Sequence, residues 1–235
     1  MAKSKKKDVL HVALLVDESG SMAHMKNGVV AGVNEFVADL KADRSKQTEV
    51  RVSLSMFDLH GGEPPVRVMF GDVPLKEVRP LWSNQYEPRG MTPLNDAVAR
   101  TIRSVSAATD RGDRAMIVIL SDGLENSSET TTEELRRLIL DREAEGWEFV
   151  YLGANQDTWA TTEDLGLAQR GKHFAWDASE AGVRAALKVS GERVNRLKNN
   201  PREYDEERDL LADRIEPGEQ KARRLSEAER RGKQR

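Results

Sequence analysis

Three short stretches of this chain carry small oxygen-bearing side chains of the kind that hold a hard metal ion. They are Asp17-Glu18-Ser19-Gly20-Ser21, Gly90-Met91-Thr92-Pro93-Leu94 and Ser121-Asp122-Gly123. Asp17 and Asp122 offer carboxylates, and Ser19, Ser21 and Thr92 offer hydroxyls. That donor set suits Mg²⁺, Mn²⁺ or Ca²⁺ and is a poor one for copper or zinc. Taken singly, each residue has an ordinary structural explanation. Ser19, Gly20 and Ser21 read as a strand-to-helix turn, Thr92 as a helix cap, and Asp122 before Gly123 as a turn residue. Only a fold that brings all five to one point turns them into a site.

The hydrophobic pattern predicts such a fold. Val9–Val16 is a nearly continuous apolar run, the mark of a strand buried on both faces, and it leads straight into Asp17. Between Lys26 and Leu40, Val29, Val30, Val33, Phe36, Val37 and Leu40 fall at helical spacing. Glu49–Asp58 alternates as a strand. The turn Gly61-Gly62-Glu63-Pro64-Pro65 then returns Val66–Phe70 against it as a hairpin, which makes one antiparallel edge strand. Residues 71–92 are irregular, with Pro74, Pro80, Pro88 and Gly90. A helix is expected over Pro93–Thr109, with Pro93 at its first position and the positive end of the helix beside Thr92. Ala115–Leu120 is a second fully apolar strand, ending at Ser121 and Asp122. Thr131 and Glu134 form a capping box for a helix to about Glu145. Phe149–Leu152, Asp157–Leu165, His173–Trp176 and Ser179–Val189 read as strand, short helix, weak strand and helix. The expected architecture is α/β: a doubly wound, mostly parallel, Rossmann-like sheet with helices on both faces and one antiparallel edge strand. Ligand sites of such sheets lie beyond the carboxyl ends of the strands, where the three stretches fall.

Asp17-x-Ser19-x-Ser21, followed by Thr92 in Gly-Met-Thr-Pro-Leu and Asp122 in Ser-Asp-Gly, resembles the metal-ion-dependent adhesion site (MIDAS) of the von Willebrand factor A domain. All five elements are present in the family's order. The resemblance spans roughly residues 8–190, and the stand-alone setting looks most like that of bacterial and phage members. It implies that Ser19, Ser21 and Thr92 are hydroxyl ligands, Thr92 directly when an acidic partner is bound. It implies that Asp17 and Asp122 hold the ion directly or through water. Mg²⁺, with Mn²⁺ or Ca²⁺ as alternatives, would then keep a position open for an Asp or Glu of a partner protein. A non-enzymatic protein-binding module is the leading expectation. An adaptor or assembly factor for an AAA+ ATPase, or for a phage or stress-response complex, is the second. Metal-assisted phosphoester hydrolysis is a distant third, with Glu18 or His24 as its only general-base candidates.

Neighbouring residues read more plainly. Glu18 and Glu125 are expected to be solvated acids on the rim, Asn95 and Asp96 to serve the first turn of their helix, and Asn155 to be structural. His11 reads as a satisfied sheet histidine. Rival chemistries lack their residues. A haloacid-dehalogenase-type phosphatase needs an acid where Ser19 stands, and there is no nucleophile elbow, phosphate loop or dinucleotide fingerprint.

Composition sets the outer limits. The chain has 235 residues, 33% of them charged, against about 25% for an average soluble domain, yet its net charge is only −3. The excess gathers at the end, since residues 191–235 hold 24 of the 77 charged side chains, 13 basic and 11 acidic. We therefore expect a basic N-terminal segment at 1–7, a domain at 8–190 and a charged, helical or disordered extension at 191–235. Such a balanced mixture argues against DNA or membrane attraction by the extension as a whole. There is no Cys, so disulfides, thiolate zinc sites and Cys nucleophiles are excluded. No apolar run approaches the ~20 residues of a membrane span. The basic start followed by Val9–Val16 imitates a signal peptide, but it carries His11 and has no cleavage site, so a cytoplasmic protein is expected.

Overall fold

The computed structural model describes residues 8–43, 48–110, 112–123, 125–154, 165 and 173–206. Strands β1 (Asp8–Asp17), β2 (Thr48–Phe57), β3 (Val66–Pro74), β4 (Arg114–Ser121), β5 (Glu148–Ala154) and β6 (His173–Trp176) form one sheet in the order β3-β2-β1-β4-β5-β6. Every pairing is parallel except β2 with β3, so β3 is the antiparallel edge. Helices α1 (Lys26–Ala42), α2 (Leu94–Ala108), α3 (Thr132–Ala144) and α4 (Glu180–Asn199) cover it. The expected doubly wound α/β arrangement is the one observed.

Period-two alternation explains how one strand serves two cores. In β1, Leu10, Val12, Leu14 and Val16 face the layer made by α1 and α4. Ala13 and Leu15 face the opposite layer, made by α2 and α3. Both sets are at most 2% exposed, so β1 is buried on both sides along most of its length. α1 and α4 approach closely through small residues. A methyl placed on Gly28 would lie 2.4 Å from Glu180 Cα, and one on Gly32 would lie 2.8 Å from Leu187 Cδ1.

Two expectations about element ends are corrected. The boundary placed at residue 190 falls inside α4, which Ser179 caps by accepting the Gly182 N–H and which runs unbroken to Asn199. Beyond Ser190, the side chains of Val194, Leu197 and Tyr204 are buried in the α1 layer. Arg193 donates to the Tyr204 hydroxyl and lies 3.5 Å from the buried Glu148 carboxylate. The packed domain therefore reaches at least residue 204. Charge composition misplaced the boundary because Arg193 and Lys198 are themselves buried and paired, Lys198 with Asp43 at 3.2 Å. The second correction is at Pro93. It is the residue before α2, with φ −80° and ψ 61°, and the helix starts at Leu94. The capping box of α3 is present as expected. The short helix expected at Asp157–Leu165 lies, apart from Leu165, outside the described residues.

Candidate metal centre

β1 and β4 lie side by side, with Val16 opposite Leu120. The chain winds outward from β1 through β2 to β3, and in the other direction from β4 through β5 to β6. The winding reverses between β1 and β4, which leaves a crevice beyond their carboxyl ends. Asp17 closes β1 and Ser121 closes β4, so the fold delivers the first and third stretches to the same edge of the sheet.

Asp17 is fully buried, and both of its oxygens are engaged. Oδ1 accepts the Ser19 backbone N–H at 2.7 Å, and Oδ2 accepts the Ser121 hydroxyl at 2.5 Å. The Ser19 and Ser21 hydroxyls are 3.1 Å apart, and Ser21 donates to Asp122 Oδ1 at 2.6 Å. Neighbouring ligands on an octahedral ion with bonds of about 2.0–2.1 Å lie about 2.9 Å apart, so the Ser19–Ser21 spacing matches one octahedral edge. Thr92 meets them at Gly123, where a methyl group would lie 3.2 Å from Thr92 Oγ1 and 3.8 Å from Ser21 Oγ. Gly123 thus keeps clear the space that the hydroxyls share. All five residues named from the sequence come together. Among the described residues no group of three or more His, Asp or Glu could hold a metal. A centre here depends on hydroxyls, a donor set that suits a hard cation.

The second stretch has no strand to place it and is fixed by tertiary hydrogen bonds. Leu59 and Met91 exchange backbone hydrogen bonds at 3.0 and 3.1 Å, and the Gly20 N–H donates to the Gly90 carbonyl at 3.2 Å. Gly90 has φ +71°, and a methyl on it would lie 2.5 Å from the Leu59 carbonyl oxygen, so only glycine fits. Glu18 is the hub of this attachment. Its carbonyl accepts the Arg89 N–H at 2.7 Å, and its carboxylate accepts the Glu87 N–H at 2.5 Å and pairs with Arg67 at 2.7 Å.

The expectation that Glu18 and Glu125 are solvated acids is thereby corrected. Glu18 is 2% exposed. Glu125 accepts from the backbone N–H groups of Asn95, Ser127 and Ser128 and from the Ser128 hydroxyl, at 2.6–2.8 Å. The first-turn N–H groups of Asn95 and Asp96 are taken by Glu125 and Ser128, so the amino end of α2 faces protein acceptors and not the centre. Asp96 reaches beyond its own helix and accepts from Glu129 and Thr130 N–H. Sequence reading also missed Ser121 and Tyr86, whose hydroxyl donates to the Asp17 carbonyl at 2.6 Å. Ser121 was adjacent to the motif and could have been suspected, whereas nothing local marks Tyr86. His11 is a buried sheet histidine, but the expectation that it is satisfied holds for one nitrogen only: Nδ1 shares a hydrogen bond of 2.8 Å with Asp72, whereas Nε2 has no hydrogen-bond partner among the described residues and lies 3.6 Å from Asp113. His24 is exposed and donates from Nδ1 to the Ser21 carbonyl at 2.8 Å. Asn155 lies outside the described residues.

Burial pushes the Asp17 carboxyl up from 3.8 to about 6. Hydrogen bonds from Ser121 and Ser19 oppose the rise, and the neighbouring Asp122 adds to it. A cation held by this group would therefore compete with protons. A group titrating near 6 is about one-tenth ionised at pH 5 and nine-tenths at pH 7, so Mn²⁺ affinity should be about tenfold weaker at pH 5. Titration calorimetry at the two pH values measures this, and equal affinities would remove Asp17 from the binding equilibrium.

Comparison with known proteins agrees with this architecture. The family model of the von Willebrand factor type A domain matches residues 11–186. No curated protein matches the chain in sequence. Among solved structures, the pilus adhesin SpaC from Lactobacillus rhamnosus GG is similar with a TM-score of 0.62 and 16% identity, over 83% of this chain and 31% of that one. The present chain thus spans about a third of SpaC. The vWF domain of the type V pili tip protein Mfa5 from Porphyromonas gingivalis is similar with a TM-score of 0.59 and 12% identity, over 81% of this chain and 96% of that one. Proximal thread matrix protein 1 from the mussel byssus, with a zinc-occupied MIDAS motif, gives 0.54 and 16%, over 77% of this chain and 47% of that one. At these identities the structural likeness speaks for the fold alone, and the family model, which covers three-quarters of the sequence, supplies the membership. This chain belongs to the von Willebrand factor type A domain family.

Proposed function

We propose that the domain is a non-enzymatic protein-binding module that works through a divalent cation, Mg²⁺ in the first instance. Domains of this family are typically MIDAS-dependent binding modules and usually not catalysts. In this reading Ser19, Ser21 and Thr92 supply neutral oxygens to the ion, Asp17 and Asp122 hold it from behind, and a partner's Asp or Glu completes the shell. The observation that carries the proposal is the engagement of Asp17, both of whose oxygens already accept hydrogen bonds from the protein. Its charge then acts on the ion largely through intervening groups. An ion held mostly by neutral ligands keeps a strong attraction for an anion, and that favours a carboxylate from another molecule. The hydrolytic alternative loses one of its two general-base candidates on the same grounds of engagement. Glu18, a general-base candidate, is buried and committed to Arg67 and the Glu87 N–H. The mussel protein's zinc places Zn²⁺ beside Mg²⁺, Mn²⁺ and Ca²⁺ among the ions to be tried.

Affinity capture from the source cell, with mass spectrometry, tests the proposal in three arms: Mg²⁺, EDTA, and Thr92→Ala with Mg²⁺. We expect at least one protein to be retained in the first arm and lost from the other two. Identical captured sets in all three arms would overturn metal-bridged binding.

A further inference from the structure

Unlike Ser19, Ser21 and Asp122, Thr92 does not directly follow the end of a strand, and its main chain is gripped on both sides by a residue outside the donor set. Asn126 Oδ1 accepts the Thr92 N–H at 2.9 Å, and the Asn126 N–H donates to the Thr92 carbonyl at 3.3 Å. This two-point pairing resembles one rung of a sheet, with a side-chain amide in place of one peptide group. Asn126 lies four residues after Asp122, so the rung ties the Thr92 loop directly to the Asp122 loop.

The grip is held from behind. Glu125 ties the segment around Asn126 to the amino end of α2 through Asn95 and gathers the N–H groups of Ser127 and Ser128. Asp96 fixes Glu129 and Thr130 to the same helix end. The loop from residue 125 to 130 is thus pinned to α2, and α2 begins two residues after Thr92. Asn126 itself is exposed, and its backbone and side chain are spent on Thr92 and not on the core.

We propose that Asn126 is a positioning residue of the metal centre: it sets where the Thr92 hydroxyl stands relative to Asp122 without touching the ion. The inference rests on the reading of Thr92 as a ligand. Groups that orient ligands from outside the first coordination shell typically change metal affinity by about 10- to 100-fold when removed. Asn126 acts on backbone and is open to water, so its effect belongs at the lower end of that range.

The test uses the full chain with Mn²⁺ in acetate buffer, the acetate standing in for the partner's carboxylate, followed by titration calorimetry, in the parent, Asn126→Ala, Asn126→Asp, Thr92→Ala, and Thr92→Ala with Asn126→Ala. We expect Asn126→Ala to weaken Mn²⁺ binding by about tenfold, with metal-free melting unchanged. In the Thr92→Ala background the same substitution should change affinity by less than about twofold, since its route to the ion is gone. Asn126→Asp retains an acceptor for the Thr92 N–H and should bind at least as tightly as the parent. Parent-like binding by Asn126→Ala, an equal loss in both backgrounds, or a loss in Asn126→Asp matching that in Asn126→Ala would each overturn the proposal. A parent that fails to bind Mn²⁺ at all would overturn the metal reading itself and this inference with it.

Discussion

Asp17→Asn should abolish measurable Mg²⁺ binding and, at pH 8 without metal, make the domain more stable than its parent. The substitution keeps the shape of the side chain. Its Oδ1 can still accept the Ser19 N–H, and its amide can donate to the Ser121 hydroxyl that formerly donated to the carboxylate. What it removes is a buried negative charge. The folded-state pKa stands near 6 against an ordinary 3.8, a difference worth on the order of 3 kcal/mol. The sign follows from linkage. Because the folded pKa is the higher one, the stability that Asp17 contributes as a neutral acid is complete below about pH 4 and is lost as pH rises through about 6. Above that, the metal-free parent carries the full cost of the charge, and Asn does not. One kcal/mol moves the melting temperature of a domain this size by about 2–4 °C, so a rise of several degrees is expected at pH 8 and little change at pH 4. Mg²⁺ should raise the melting temperature of the parent and leave Asp17→Asn unmoved. A variant that melts lower than the parent at pH 8, or still responds to Mg²⁺, would contradict this account of the centre. The expected pattern is the familiar one in which a functional site is held at a cost to the fold.

The second large effect concerns the end of the domain. Truncation after Ser190 should leave the remaining chain unable to fold cooperatively. It removes Val194, Leu197 and Tyr204 from the α1 layer, and full burial of each such side chain is worth about 1.5–3 kcal/mol. It also strips Arg193 from the buried Glu148 carboxylate, and breaking a buried ion pair costs about 3–5 kcal/mol. Together these losses rival the 5–15 kcal/mol or so that holds a typical domain together. A chain ending at Glu206 keeps every one of these groups. Circular dichroism melting of the two truncations provides the check: cooperative, parent-like melting of the chain ending at Ser190 would show that α4 beyond that point is dispensable. For the same reason, a test of whether the charged extension recruits an AAA+ ATPase or another subunit must delete from residue 207 onward. A deletion from 191 would unfold the domain and imitate the loss of a docking site.

These two cases mark where sequence reading works and where it stops. Asp17, Ser19, Ser21 and Asp122 were legible because each sits at or just beyond the end of a continuous apolar strand. A parallel strand buried on both faces leaves little doubt about its path, and the order of strands then fixes which ends are neighbours. Thr92 was legible by its motif. Its placement, however, depends on Glu18, Leu59 and Asn126, which are far apart in sequence and meet the Thr92 stretch through backbone hydrogen bonds and through the Glu18 carboxylate and the Asn126 side-chain amide. The misread residues share one cause. Glu18, Glu125, Arg193 and Lys198 are charged, and in sequence a charge signifies solvent unless a partner is visible. Their partners lie 49 residues away for Glu18 and Arg67, and 155 for Lys198 and Asp43, separations that no local pattern reports.

The sequence by itself determined the alternation of strands and helices, the edge hairpin and which five residues are candidate donors, because apolar periodicity and short motifs are local properties. The tertiary structure alone decided that the packed domain continues past residue 190 to at least residue 204, why the acids Glu18 and Glu125 near the site are tied down rather than free, and which residues outside the motif hold Thr92 in place. Those outcomes depend on burial and on long-range pairing, and a charged side chain acquires its partner only when the chain has closed around it.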